Sequence, residues 1–523
     1  MDSKNVKLSM FIISGIALTI SILIASLDLQ TILSIIPDDP FYYFQIASNF
    51  ISGKGSSING IQTTNGYHPL WMLIISPLFA LKTYNEILPV RLVIVLSELF
   101  SIATSYILYL IINTITRNKL LSIVGFGLYL LTPKIFLTNI IGEPVPLSNF
   151  FIIIGLFLTL RISIDGILSL RRMILIGIIF GLTILSRIDN IIFILIYIFI
   201  ILLWYKGENR LLRVGFIGIL TILIASPWFI WSLRSLGTIK QTSIDACSFI
   251  FKHNILKNCN DIHSILKESL ISIFNPSSLL YLFGYSSLSY TLPFIIGSLF
   301  GCFKEKDIKL QRGVIIILTM TLATFILYII HTGIFFYIRI WQVASFSSLT
   351  ILIIISSIYI YSKSKKVILI LISILLSLYL FSSSFTIWRE IQATKYPFEI
   401  DFYKVAEYIN KDKNHKYSAY DSGIISYFTD GKVLSIDGNI NPEAYNAFRE
   451  HRICDYMIEN DVDYLVGKYE WTKFICEPFC SYPFNDVFKV VKNNDVGINF
   501  DFTFDDYVVL KFTRPYKTIN SYK

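Results

Sequence analysis

Charged residues are scarce in this sequence. Asp, Glu, Lys and Arg make up 15% of its 523 residues, against about 25% in soluble domains. With 54% apolar residues, this excludes a large soluble enzyme and points to a polytopic membrane protein. A basic face interleaved with aromatics is also missing, so nucleic acid is not an expected partner. The six cysteines include no pair with the spacing of a zinc site. A Cys476–Cys480 or a Cys247–Cys259 disulfide suits an oxidising side, with Cys454 left over. No paired internal repeat of the kind found in many transporters is visible. No small-residue cleavage site marks the first apolar segment, Met10–Leu29, which is expected to stay as an anchor.

What is present is a series of apolar runs. They fall near 9–29, 89–115, 119–138, 147–163, 171–186, 189–205, 211–234, 279–302, 313–331, 342–361 and 366–385. These give about eleven expected spans at roughly 20 residues each, and each must be helical to satisfy its own backbone. Lys4 and Lys7, Arg117 and Lys119, Arg161 with Arg171 and Arg172, Lys206 with Arg210 and Arg213, Lys304 to Arg312, and Lys363 to Lys366 all lie on one side by parity. The positive-inside rule places that side, and the N-terminus, in the cytoplasm of a cell-membrane protein. The short run Pro69–Leu81 would upset this parity as a span. It reads instead as an interfacial or re-entrant helix, with Trp71 at headgroup level.

Charge divides the chain. From Thr386 onward stand 17 Lys/Arg and 21 Asp/Glu, a net −4, which leaves +13 of the chain's +9 total on the rest. That final stretch has turn signals, an amphipathic helix at Tyr403–Asn410, and strand patterns at Tyr417–Tyr420, Val433–Ile436, Tyr464–Val466 and Tyr507–Phe512. The expected fold is therefore mainly α. A transmembrane module over 1–386, with a first outer loop at 30–88, precedes a small extracytoplasmic α/β domain over 387–523.

The outer loops hold the residues with chemistry. Pro37-Asp38-Asp39-Pro40-Phe41-Tyr42-Tyr43 follows the first span, and Thr64-Asn65-Gly66-Tyr67-His68-Pro69-Leu70-Trp71 closes the same loop. Gly142-Glu143-Pro144, Ser186-Arg187-Ile188-Asp189-Asn190 and Tyr337-Ile338-Arg339-Ile340-Trp341 lie in later outer loops. Ionisable groups near lipid are costly and are functional candidates by default. Each also has a plain structural role: Asp38 and Asp39 as helix caps, Arg187 and Asp189 as a mutual pair, Arg339 as an interface anchor, His68 as a backbone partner. Gly66 is expected to supply a positive φ in a turn. Together they suit sugar transfer from a lipid phosphate. A carboxylate (Asp38, Asp39 or Glu143) takes a proton from an acceptor hydroxyl, while Arg187 and Arg339 hold the phosphate as its charge develops. Tyr43, His68 and Asp189 complete the candidate substrate-binding set. Asp39 and Glu143 are also candidate ligands for Mg²⁺ or Mn²⁺. The residues leave a metal and a bare base open.

These motifs resemble those of GT-C glycosyltransferases, which include protein O-mannosyltransferases and the lipid A aminoarabinose transferase. The likeness lies in Asp38-Asp39-Pro40-Phe41-Tyr42-Tyr43 after the first span, the His68-Pro69-Leu70-Trp71 segment, Gly142-Glu143, and Arg187-Ile188-Asp189. In the tail it extends to Asp421-Ser422-Gly423 and Ile436-Asp437-Gly438-Asn439-Ile440-Asn441, which are similar to the extracytoplasmic domain of a prokaryotic branch of that superfamily. The resemblance implies a polyprenyl-phosphate sugar donor, an acceptor hydroxyl on a glycan, lipid or protein, and inversion at the anomeric carbon. Two rivals are a transporter or flippase of lipid-linked sugars, and a sensor or assembly protein whose tail binds a partner. Transport is disfavoured by spans that are apolar in their middles. The sensor reading leaves the first-loop carboxylates without a task.

Overall fold

The computed structural model describes residues 3–256, 295–301, 306–335, 345–362, 399–490 and 507–512. Apolar runs fold as helices because a helix satisfies its own backbone away from water. The first twelve are α1 Ser3–Ala25, α2 Leu29–Ile35, α3 Asp39–Ile51, α4 Pro69–Ile75, α5 Leu88–Thr116, α6 Lys119–Leu131, α7 Pro133–Ile140, α8 Val145–Asp165, α9 Leu170–Ser186, α10 Ile191–Trp204, α11 Arg210–Leu236 and α12 Thr242–Leu256. Two further long helices, Ile308–Phe335 and Ser345–Ser362, complete the bundle among the described residues.

Among the described residues four helices, α1, α5, α8 and α11, are long and apolar enough to cross a membrane. A fifth span results if α6 and α7, which meet at 54°, act as one broken helix. This is fewer than the eleven spans expected. The segment 366–385 and most of 279–302 lie outside the described residues. The segment 189–205 yields only the 14-residue α10, about 21 Å at 1.5 Å per residue, because the turn Ile188–Asn190 takes up its start. α1 and α11 leave most of their apolar surface exposed, as lipid-facing helices do.

The short run after His68 forms α4 and then a 3-10 stretch, Ser76–Thr83. Pro69 suits the first turn of α4, and Pro77 interrupts the α-helical ladder. Trp71 packs inward on the protein. It is fully buried, and its indole N–H donates to the Gly142 carbonyl at 2.9 Å.

The tail carries a five-stranded sheet, β1 Tyr417–Ala419, β2 Leu434–Ser435, β3 Tyr464–Lys468, β4 Phe488–Val490 and β5 Tyr507–Phe512, in the order β2-β1-β3-β5-β4. β1 runs parallel to β2 and β3, and β5 runs antiparallel to β3 and β4. Helix Gly423–Phe428 links β1 to β2, a parallel crossover, and is buried along its length. It packs on α3: Phe41 meets Tyr427 at 5.6 Å and Phe428 at 5.9 Å, and Phe44 meets Tyr427 at 6.2 Å. α3 is accordingly buried on nearly every side. The expected Cys476–Cys480 disulfide does not form. Cys480 pairs with Cys454 across a Cα separation of 5.1 Å, and Cys476 is a buried thiol. A helix and its 3-10 extension, Tyr469–Phe479, hold Cys476 inward and carry Cys480 to Ile453–Glu459, where Cys454 sits. Cys247 donates to the Asn439 side chain at 2.9 Å; Cys259 lies outside the described residues.

Candidate active site

The two adjacent carboxylates of the first loop take different environments. Asp38 is buried and makes no side-chain bond into its own helix. Its oxygens instead accept the N–H groups of Gly423, at 2.9 Å, and Ile424, at 2.7 Å. These are the first two residues of helix Gly423–Phe428, where orphan N–H groups favour an anion. Burial pushes the Asp38 carboxyl well above its usual range. The two N–H bonds oppose that shift, and the charges of Asp421 and Asp39 add to it. One turn on, the Tyr42 hydroxyl donates to Asp437 Oδ2 at 2.6 Å and accepts the Ser422 N–H at 2.9 Å. Burial raises Asp437 as well, against its bond from Tyr42. Both tail motifs, Asp421-Ser422-Gly423 and Asp437-Gly438-Asn439, thus grip α3.

Gly66 also serves this contact, though not as expected. Its φ lies outside the left-handed region, and an added Cβ would collide with the Asn439 carbonyl oxygen. The residue is small because the tail backbone passes against it, not because the turn needs a positive φ.

Asp39 opens α3 and is half-buried. Tyr43 lies one turn later on the same face. Burial raises the Tyr43 hydroxyl well above 10; Glu143 and Asp39 raise it further, and Arg187 opposes them. One hydroxyl therefore feels residues from three separate loops together. Glu143 is 4% exposed and lies just ahead of α8, after Gly142, whose φ of +88° turns the chain. Pro144 stands at the N-cap of α8 and leaves Glu143 outside the helix.

His68 stacks on Tyr43, rings 6.5 Å apart and 28° from parallel. Its main-chain N–H reaches the Tyr43 hydroxyl at 3.4 Å. The Gln241 amide, fixed by a 2.6 Å bond to the Tyr67 carbonyl, lies 3.4 Å from His68 Nδ1. With Nδ1 accepting, the proton sits on Nε2. Burial lowers the imidazole to about 3, helped by the Arg187 charge, so His68 is neutral at physiological pH.

Arg187 ends α9 and binds Asp189 through both Nε, at 3.1 Å, and Nη2, at 2.7 Å. Asp189 Oδ2 also meets His331 Nε2 at 3.0 Å. The pairing of Arg187 with Asp189 was legible as one reading of the sequence; His331 was not singled out. Its signal was an ionisable side chain within the apolar run 313–331. The carboxylates of Asp189 and Glu143 supply negative potential at Arg187. Arg339 lies outside the described residues.

Among the described residues no group of three His, Cys, Asp or Glu side chains is placed to hold a metal ion. Asp39 and Glu143 nonetheless act together on Tyr43. Two carboxylates fit Mg²⁺, which keeps several waters and takes one or two carboxylates beside substrate phosphate.

Comparison with solved structures shows a similar fold in membrane oligosaccharyltransferases. The Archaeoglobus fulgidus oligosaccharyltransferase in complex with Zn and sulfate is 13% identical, with 90% of this chain and 71% of that chain covered and a TM-score of 0.51. Its apo form is 12% identical, covering 92% and 73%, with a TM-score of 0.51. The archaeal oligosaccharyltransferase AglB from the same organism, in complex with an inhibitory peptide and a dolichol-phosphate, gives 13% identity, 91% and 72% coverage, and a TM-score of 0.49. No protein-family model matches the sequence, and no curated protein matches it either.

Proposed function

We propose that this protein is an integral membrane glycosyltransferase, moving a sugar from a polyprenyl-phosphate donor to an acceptor hydroxyl on the outer face with inversion. The observation that carries the reading is that Tyr43, stacked on His68, lies within the electrostatic reach of Asp39, Glu143 and Arg187 together. The GT-C-like fold supports it. In this reading residues 1–386 form the membrane module and 387–523 the extracytoplasmic domain, with the N-terminus cytoplasmic by the positive-inside rule.

Asp39 is the base. Both Asp38 oxygens already bind the tail, whereas Asp39 is half-buried at the edge of the site. The Asp39 carboxylate takes the acceptor hydroxyl proton as the acceptor oxygen bonds the anomeric carbon. The bond from that carbon to the phosphate oxygen breaks, and the polyprenyl phosphate leaves with the electron pair. No general acid is needed, because phosphate leaves as an anion. Arg187 and the Nε2–H of His68 hold the phosphate, where charge-assisted donors are strongest. Asp189 and His331 keep the guanidinium oriented. A divalent cation held by Asp39 and Glu143 would supply further positive charge to the phosphate oxygens.

The test is reaction of the purified protein in nanodiscs with a polyprenyl-phosphate sugar and a hydroxyl acceptor. NMR of the product is expected to show the opposite anomeric configuration to the donor. Retained configuration, or movement of intact donor across the bilayer without transfer, would overturn the proposal.

A further inference from the structure

The outer end of α11 carries a hydrogen-bond donor that the packing leaves unmet. The indole N–H of Trp228 is buried without an acceptor. The polar groups around it are satisfied. Pro227, just before it, has no N–H to give the Leu223 carbonyl, and the Ser226 hydroxyl donates to that carbonyl instead at 3.0 Å. One turn on, the Ser232 hydroxyl donates to the Thr238 carbonyl and accepts the Asn65 amide, both at 2.7 Å. An indole can only donate, and a buried polar group without its partner is costly. What meets Trp228 must therefore bring an acceptor oxygen.

Ring contacts join Trp228 to the candidate site. It meets Tyr67 at 5.2 Å, Tyr67 meets Tyr43 at 6.4 Å, and Tyr43 stacks on His68 at 6.5 Å. On its other side Trp228 stacks on Trp231, with the rings 4.7 Å apart and 28° from parallel. Trp231 is half-buried, and Ile230 and Leu233 beside it are exposed on the outside of α11. The aromatic line thus runs from an apolar helix face to the Tyr43–His68 pair. An occupant that suits both ends has an apolar body and an acceptor oxygen. A prenyl phosphate has both, and its planar alkene units can lie flat against stacked rings. A free phosphate lacks the apolar body, and a bare hydrocarbon chain lacks the oxygen.

We propose that Trp228 and Trp231 seat the donor as it enters from the bilayer. Its first isoprene units lie on Trp231, and the Trp228 N–H donates to a phosphate oxygen. The proposal rests on the glycosyltransferase reading and names two residues that select a prenyl phosphate for that site.

Isothermal titration of the full-length protein in nanodiscs, with empty nanodiscs as the blank, tests it. The probes are farnesyl phosphate, farnesol and dodecyl phosphate. Trp228→Phe keeps a ring and removes the N–H. Farnesyl phosphate is expected to bind this variant roughly 10-fold more weakly than wild type, a difference of about 1.4 kcal/mol. Farnesol, which brings no phosphate, should stay within about 2-fold and so report an intact seat. Trp231→Leu should weaken farnesyl phosphate and farnesol alike, by about 5-fold. Four results would overturn the seat: no binding of farnesyl phosphate by the wild type, unchanged affinity in Trp228→Phe, an equal loss for farnesol in that variant, or dodecyl phosphate binding the wild type as tightly as farnesyl phosphate. None of these touches the glycosyltransferase reading if sugar transfer is observed. The expected preferences without any sugar transfer would support the seat and overturn the glycosyltransferase reading instead.

Discussion

The Tyr42 hydroxyl donates to Asp437 at 2.6 Å across 395 residues of sequence. With the bonds from Gly423 and Ile424 to Asp38, it makes the start of α3 and the tail one packed unit. The acidic pair therefore divides: Asp38 fastens the tail, and Asp39 is the proposed base.

Asp38→Ala should loosen the tail before it affects anything else. It strands two buried N–H groups, at roughly 1–3 kcal/mol for each unsatisfied group. Hydrogen exchange at Gly423 and Ile424 should accelerate, while α8 and α9 remain as protected as in the wild type.

Gly66→Ala should act on the same seam by steric means. The new methyl would meet the Asn439 carbonyl, whereas Gly215→Ala on α11 has nothing within 4 Å. Thermal unfolding is expected to show a lower midpoint for the first. The second should show an unchanged or higher one, since alanine is favoured over glycine in a helix by about 1 kcal/mol.

Much of this was legible in the sequence because it was local. The strand patterns at Tyr417–Tyr420, Val433–Ile436, Tyr464–Val466 and Tyr507–Phe512 yield strands within a residue or two, since aromatic and β-branched side chains pack well on a pleated surface. β4, only three residues long and sharing Phe488 and Val490 with a turn-rich stretch, gave no such pattern. What depended on distant partners was hidden. Asp38 looks like a cap for its own helix and caps one that begins 385 residues later. Gly66 looks like a turn glycine, yet its smallness answers to a tail carbonyl. Trp71 looks like an interface anchor, yet Gly142 supplies a buried acceptor for its indole. His331 stood alone in an apolar run and acquires meaning only beside Asp189.

His68 sets a pH dependence. Its folded value of about 3 lies below the ordinary 6.5, so the unfolded chain binds the extra proton first and stability falls as pH drops from about 6.5 towards 3. The unfolding midpoint of the wild type should therefore fall more between pH 7 and pH 5 than that of His68→Gln. Equal falls would mean that the imidazole is not held neutral.

The cysteine pairing has a direct chemical check. Non-reducing peptide mapping should recover a Cys454–Cys480 linked peptide. The buried Cys476 should be alkylated only after denaturation, because burial raises its thiol far above the ordinary value. A Cys476–Cys480 link would contradict the structure of this edge of the tail.

The central claim is that Asp39, not its neighbour, is the proton acceptor in a site shared by three outer loops. Turnover of a polyprenyl-phosphate sugar by Asp39→Asn, in protein whose unfolding midpoint matches the wild type, measures this most directly. The expected result is a kcat lower by about 10²–10⁴, with donor affinity largely kept. Wild-type turnover in that variant would contradict the account.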